Sequence, residues 1–248
     1  MKRSADIFQR VEKKYLLTAE QKEALMEAIA PHLAPDPFPH ATICSLYLDT
    51  PDYRIIRHSR EAVNYKEKLR LRSYGTPSDD DTVFLELKKK FDGVVYKRRV
   101  SMTLRQALEY LAGGPAPVDS QIMREIDYAM QFYGNPVPAM FVAYERDAWF
   151  AKEDPQVRIT FDSAARYREN ALDLRRGSGG TLLLDSDICI LEVKTTGAMP
   201  LWLAHALTRC HILPGSFSKY GAAYQITHCG RPVAVPTLKG ELENVSNF

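Results

Sequence analysis

Lys66, Lys68, Arg70 and Arg72 occupy every second position of the stretch NYKEKLRLRSYG. Alternation at a period of two is the pattern of a β-strand, whose successive side chains point to opposite faces. One face of this strand would carry four cations in a row, and like charges packed side by side repel. A chain of phosphates would make use of such a row. Arg grips an oxyanion bidentately, and Lys acts as a compact point charge.

The same two-residue spacing recurs along the chain. It picks out Arg10, Glu12 and Lys14, then Glu86, Lys88 and Lys90, then Lys97 and Arg99. Further on it picks out Tyr144 and Arg146, then Arg158, Thr160 and Asp162, and finally Glu192, Lys194 and Thr196. Apolar residues fill the intervening positions. A half-exposed antiparallel sheet also alternates polar and apolar residues, and for one strand that reading suffices. It weakens when most strands do it together and the polar face is crowded with Arg and Lys. If the sheet curls into a barrel, one face of every strand turns inward. Inward cations are costly unless paired, and the interior carboxylates look too few to neutralise them. The pattern therefore predicts a polyanion as the missing partner.

Glu12, Glu86 and Glu192, with Asp162, would sit among those cations. Carboxylates in a phosphate channel repel the substrate unless a divalent cation lies between, and Mg²⁺ or Mn²⁺ is commonly held by one or two carboxylates plus substrate phosphates. The competing reading makes each Glu a structural salt bridge. The metal role is preferred for Glu192, and both readings stay open for Glu12 and Glu86.

The elements that must position these residues are readable in outline. IFQRVEKKYLL, ATICSLYLDT, VNYKEKLRLRSYG, TVFLELKKKF, VVYKRRVSM, PAMFVAYERDAWFA and QVRITFDSAARYRE read as strands, and APDPFPH as a loop. TLLLDSDICILEVKTTG reads as a final hairpin turning at Asp185-Ser186-Asp187, and Asp92-Gly93 as a tight hairpin turn. Helices are expected over TAEQKEALMEAIAPHL, PDYRIIRHSR, SMTLRQALEYLAGG, DSQIMREIDYAMQFYG and MPLWLAHALTRCHI. Hairpin-linked strands exclude a βαβ array. The fold class expected is α+β: an antiparallel β tunnel of about eight strands with inserted helices, one domain over 1–230 and a Pro-punctuated tail over 231–248.

The 248 residues are 45% hydrophobic and 26% charged, an ordinary globular composition with a net charge of +2. That balance argues against a strongly basic nucleic-acid binder, and there is no aromatic interleaving of the kind that stacks bases. Cys44, Cys189, Cys210 and Cys229 have no zinc spacing and read as reduced thiols of a cytoplasmic protein. No apolar run approaches the roughly 18 residues of a membrane span, and the N-terminus lacks a signal-peptide core. Gly177-Ser178-Gly179-Gly180 lacks the Lys-Ser/Thr of a P-loop. His58 among Arg54, Arg57 and Arg60 reads as a solvated helix face, and Trp149 and Trp202 as packing residues.

RVEKKYLL, SLYLDT, EKLRLRSYG, FLELKKKFDGVVYKRR, ILEVKTTGAMPLWL and FSKYGAAY follow one another in an order that resembles the VTC domain. This is the polyphosphate polymerase domain of the triphosphate tunnel metalloenzyme superfamily, and the resemblance runs from about residue 6 to 226. It implies a basic antiparallel tunnel, transfer of the ATP γ-phosphate to a growing polyphosphate chain, and a divalent metal, typically Mn²⁺ with Mg²⁺ as the other candidate. Carried over by position, Lys14, Arg70, Arg72, Lys88, Arg99, Arg146, Arg158 and Lys219 look like phosphate contacts, with Ser218 in the same FSKY motif. Lys68, Lys97 and Lys194 join them from the alternation. The residues expected to carry the chemistry are Arg70, Arg72, Lys88, Arg146 and Lys219. Glu192 matches the metal-binding glutamate of the last strand. The superfamily's Glu-x-Glu-x-Lys first strand reads Arg10, Glu12 and Lys14 here, which puts a two-metal mechanism in doubt and resembles the polymerase branch. The resemblance also implies a stand-alone, bacterial-type form without the regulatory and membrane domains of fungal complexes. A hydrolase of triphosphate or nucleoside triphosphate on the same scaffold, and a non-catalytic polyphosphate-binding module, remain alternatives.

Overall fold

The computed structural model describes residues 11–61, 64–92 and 94–232, and the backbone of 234–236 and 242–244. Arg10 and Gly93 lie outside the described residues.

Eight antiparallel strands form one continuous path. In chain order they are β1 (Val11–Thr18), β2 (Leu33–Asp49), β3 (Tyr65–Tyr74), β4 (Thr82–Phe91), β5 (Val94–Thr103), β6 (Val137–Ala151), β7 (Arg158–Arg168) and, after the short β8 (Thr181–Leu182), β9 (Ile188–Thr195). Their spatial order is β1-β9-β7-β6-β2-β3-β4-β5, with β8 added to β7. Backbone pairing leaves the path open between β1 and β5 among the described residues. Side chains bring its two ends together: Lys88 on β4 reaches Glu12 on β1 at 3.2 Å. The sheet is thus curled into a tunnel whose wall is completed by an ion pair rather than by a strand ladder.

Most apolar positions point outward and are covered by helices. Leu46, Leu48, Leu69, Leu71, Leu85 and Leu87 pack with Met123, Ile126 and Met130 into one core, under α3 (Leu104–Leu111) and α4 (Gln121–Phe132). Tyr15, Leu17, Ile159, Phe161, Leu191 and Val193 pack with Leu25 and Ile29 of α1 (Ala19–Ile29) and Leu203 and Leu207 of α5 (Leu201–Arg209) into a second. The capping boxes Thr18–Gln21 and Thr103–Gln106 start α1 and α3 directly from the strands before them.

Three readings of the sequence need correction. TLLL and ICILEV do not form a hairpin; β8 pairs with β7 beyond the point where β9 leaves it, so both run along one edge of β7. APDPFPH is not a plain loop: β2 begins at Leu33, pairs Pro35 with Trp149, and resumes at His40 opposite Asp147 after a register shift. A sixth helix, α6 (Lys219–Cys229), follows the one expected to close the chain. Asp92 takes the left-handed backbone conformation (φ 45°) and Phe91 pairs with Val94, as a tight two-residue turn requires. In the tail, Ala234–Pro236 pairs with Leu242–Asn244 as a short hairpin. No described helix is long and apolar enough to cross a membrane.

Candidate active site

α6 and α2 (Arg54–Glu61) do not cover the outside of the sheet. α6 packs on the charged inner face, against Ile43, Tyr47, Val142 and Tyr144. It fills one end of the tunnel and points its N-terminus at the cations. Two buried groups fix that pose. Asp49, fully buried at the end of β2, accepts hydrogen bonds from the backbone N–H groups of Ile55 (2.8 Å) and Ile56 (3.0 Å) at the start of α2. It also accepts one from the Tyr220 hydroxyl of α6 at 2.7 Å. The Tyr220 ring in turn stacks on Tyr47, with centroids 4.4 Å apart. SLYLDT and FSKYGAAY are therefore halves of one clamp. Replacing Asp49 with Asn puts an amide donor among groups that are all donors. An expected loss of about 2 kcal/mol in stability, together with weaker binding of tripolyphosphate as α6 loosens, can be checked by thermal denaturation and calorimetry.

At the α6 N-terminus Ser218 caps the helix by accepting from the Gly221 N–H, and Lys68 Nζ donates to its Oγ at 2.5 Å. Lys219 pairs with Asp162 on β7 at 2.6 Å. Lys14 on β1 donates to the Phe217 carbonyl at 3.2 Å. The segment 217–219 thus ties β1, β3 and β7 together across the lumen. Beside it opens a cavity of about 700 Å³ whose lining includes Lys14, Lys66, Lys68, Lys88, Lys90 and Ser218.

The inner carboxylates do not float among the cations. Glu86 is held by Arg70 (2.7 Å), Lys97 (2.7 Å) and Arg99 (2.5 Å), with Arg72 at 3.9 Å. Asp162 takes Arg146 bidentately, at 2.6 and 2.8 Å, besides Lys219. Glu192 faces Arg146 (3.3 Å) and Lys194 (3.4 Å), and Glu12 faces Lys14 (3.4 Å) and Lys88 (3.2 Å). Even so, Lys14, Lys68, Arg70, Arg72, Lys88, Lys97, Arg99, Arg146, Lys194 and Lys219 are ten basic side chains against these four carboxylates.

The crowding shows in the proton affinities. Burial, reinforced by Lys14, Lys88 and Arg70, lowers the Lys68 ammonium to about 7. Burial alone would raise the Tyr47 phenol, but Arg70, Lys68 and Arg72 outweigh it and bring it down to about 7. Burial also opposes ionisation of Glu192, yet Lys194, Lys14, a hydrogen bond with Glu12, and Arg146 hold it well below the usual carboxylate range. Tyr47 accepts from Arg70 (3.2 Å) and Tyr144 from Arg72 (3.4 Å), and the Lys219 ammonium lies 4.1 Å from the Tyr144 ring centroid.

Of the metal candidates, the structure sets Glu12 and Glu192 diagonally on one face of the β1–β9 ladder, Glu12 opposite Lys194 and Glu192 opposite Lys14. Glu86 is not with them. It is 1% exposed and saturated by its cations, and no group of three or more His, Cys, Asp or Glu residues suited to a metal exists among the described residues. The expected three-carboxylate set is reduced to a pair for this reason. That pair still fits a cation completed by substrate phosphates, and a buried hydroxyl without a partner, Thr160 Oγ1, lies on the strand beside it. Arg158 sits apart from the inner group. Its side chain is 45% exposed and pairs with Asp36. Tyr47, Tyr144 and Asp162 are inner-face residues beyond the phosphate contacts and metal ligands expected from the sequence. Tyr144 and Asp162 show themselves in the alternation, whereas Tyr47 is visible only as part of SLYLDT.

The family model described as VTC domain matches residues 9–228. Among solved structures, a candidate adenylate cyclase from Bacillus halodurans superposes with a TM-score of 0.53 at 12% identity, covering 85% of this chain and 95% of that one. A candidate adenylyl cyclase from Hippeastrum, described as having a dominant triphosphatase activity, gives 0.49 at 15% identity, covering 85% and 92%. No curated protein matches the chain by sequence.

Proposed function

The chain belongs to the VTC domain family, and from that premise we propose that it makes inorganic polyphosphate from the γ-phosphate of ATP inside the basic tunnel. The observation that carries this reading is the surplus of inward-facing, mostly half-buried basic side chains over carboxylates, whose charge a linear polyphosphate would balance. Arg70, Arg72, Lys88, Arg146 and Lys219 would hold the β- and γ-phosphates in line, with Lys14, Lys68, Lys97, Arg99, Lys194 and Ser218 extending the track. Ion pairs that now bind Glu12, Glu86, Asp162 and Glu192 would exchange carboxylate oxygens for phosphate oxygens as substrate enters.

In the transfer, a terminal oxygen of the polyphosphate attacks the γ-phosphorus, the bond to the β-phosphate oxygen breaks, and ADP leaves. A phosphate oxygen is already ionised, so no general base is required. Positioning and charge stabilisation supply the acceleration. A divalent cation held by Glu192 and Glu12 would offset charge on the phosphate oxygens. The α6 N-terminus adds its partial positive charge to the same region.

The test is incubation with γ-³²P-ATP and Mn²⁺ or Mg²⁺, with and without a short polyphosphate primer, and separation of products by gel. A metal-dependent ladder is the expected result. Free orthophosphate without a ladder would replace the polymerase with a hydrolase. Neither product, with polyphosphate still bound, would leave a binding module.

A further inference from the structure

Thr160 is 5% exposed, and its Oγ1 is buried with no hydrogen-bond partner among the described residues. A buried hydroxyl left unpaired costs stability, and Val would fill the same β-branched shape without that cost. The position is nevertheless a Thr. Arg158, Thr160 and Asp162 alternate on β7, and Ile159 and Phe161 belong to the outer core, so Thr160 faces the lumen. Its cross-strand partner on β9 is Glu192, and on β6 it is Ala148. The small Ala148 side chain on one side and the Glu192 carboxylate on the other leave the hydroxyl next to Glu192, with Glu12 on β1 diagonal to Glu192 on the same inner face.

We propose that Thr160 Oγ1 is a further oxygen of the cation site formed with Glu192 and Glu12, acting directly or through one bound water. The inference rests on the metal-assisted reading above for the kind of ligand, and on the orphaned hydroxyl for the residue. A hard divalent cation takes neutral hydroxyl oxygens alongside carboxylates. Two carboxylates placed diagonally on one inner face leave an occupant short of oxygens that a third group on the same wall can supply. The unpaired hydroxyl is then a stability cost retained for binding.

The test uses Thr160→Val and Thr160→Ser in the full chain. Mn²⁺ alone is titrated and the free ion followed by electron paramagnetic resonance, and tripolyphosphate binding in chelator is measured by calorimetry. Thr160→Val should keep or raise the Tm of the metal-free protein. It should weaken Mn²⁺ binding by about tenfold, the scale seen when a supporting metal-site group is lost, and leave metal-free tripolyphosphate affinity unchanged. Thr160→Ser should restore Mn²⁺ binding. Unchanged Mn²⁺ affinity in Thr160→Val, or no Mn²⁺ binding by the wild-type chain, overturns the assignment. So does a loss confined to metal-free tripolyphosphate, which would make Thr160 a phosphate contact. If the wild-type chain makes no polyphosphate yet loses Mn²⁺ on Thr160→Val, the polymerase reading falls and the Thr160 assignment stands.

Discussion

Glu192→Gln should abolish the metal-dependent ladder while leaving the tunnel folded and able to bind tripolyphosphate. Glu192 is 8% exposed, lies between Arg146 and Lys194, and is held ionised far below the ordinary carboxylate range. Pure anion binding gains nothing from a negative charge at that place; removing it should leave tripolyphosphate binding in chelator equal or tighter. The amide keeps the size of the side chain but not the charge that holds a divalent cation against phosphate. Loss of that charge stabilisation is worth about 3–4 kcal/mol, or about 10²–10³-fold in rate. The decisive comparison is initial rate of γ-phosphate incorporation against tripolyphosphate affinity for the same two proteins. A ladder of wild-type intensity from Glu192→Gln would remove the metal from the mechanism. Equal loss of rate and metal-free binding would make Glu192 a structural residue.

The alternation of charge legible in the sequence comes from the same physics that curls the sheet. Apolar positions must meet helices outside, so charged positions must meet one another inside. That is why Lys68, Arg70, Arg72, Lys88 and Arg146 fall into one group by their spacing alone, with Lys219 joining them through the FSKY motif. Three features were hidden for definite reasons. α6 has five consecutive buried residues, Tyr220 through Tyr224, because it plugs the tunnel and is surrounded. A helix buried on all sides has no amphipathic period to read. Tyr47 lies on a strand with both faces covered, where alternation fades into a continuous apolar run. The pairing of each carboxylate depends on which strands meet across the lumen, and no local spacing encodes that. The excess of cations holds in the folded chain, but the picture of unpaired charges waiting for phosphate does not. The inner face is a network of ion pairs that an entering phosphate chain would have to exchange.

Glu86 is where that network should matter most to folding. Its position made it a metal candidate, but four cations from two strands converge on its two oxygens. Glu86→Gln leaves Arg70 and Arg72, both largely buried, facing Lys97 and Arg99 without an anion. Removing one partner from a buried ionic cluster typically costs about 3 kcal/mol or more, and a loss of that order is expected in denaturant unfolding at pH 7. The pH dependence has a definite sign. Burial opposes ionisation of Glu86, but Arg70, Arg72 and Lys97 hold its carboxyl far below the usual range. Its folded value therefore lies below the unfolded one, near 4.3. Its contribution is complete above that pH and is lost progressively as pH falls below about 4. The difference in stability between wild-type and Glu86→Gln proteins should accordingly be widest near neutrality and narrow in acid. Added tripolyphosphate, which supplies the missing negative charge, should raise the variant's Tm more than the wild-type Tm. A metal ligand would behave otherwise: Glu86→Gln would lower Mn²⁺ affinity and leave metal-free stability untouched. Unfolding curves in chelator at pH 7 and well below pH 4, with and without tripolyphosphate, separate the two roles in one experiment.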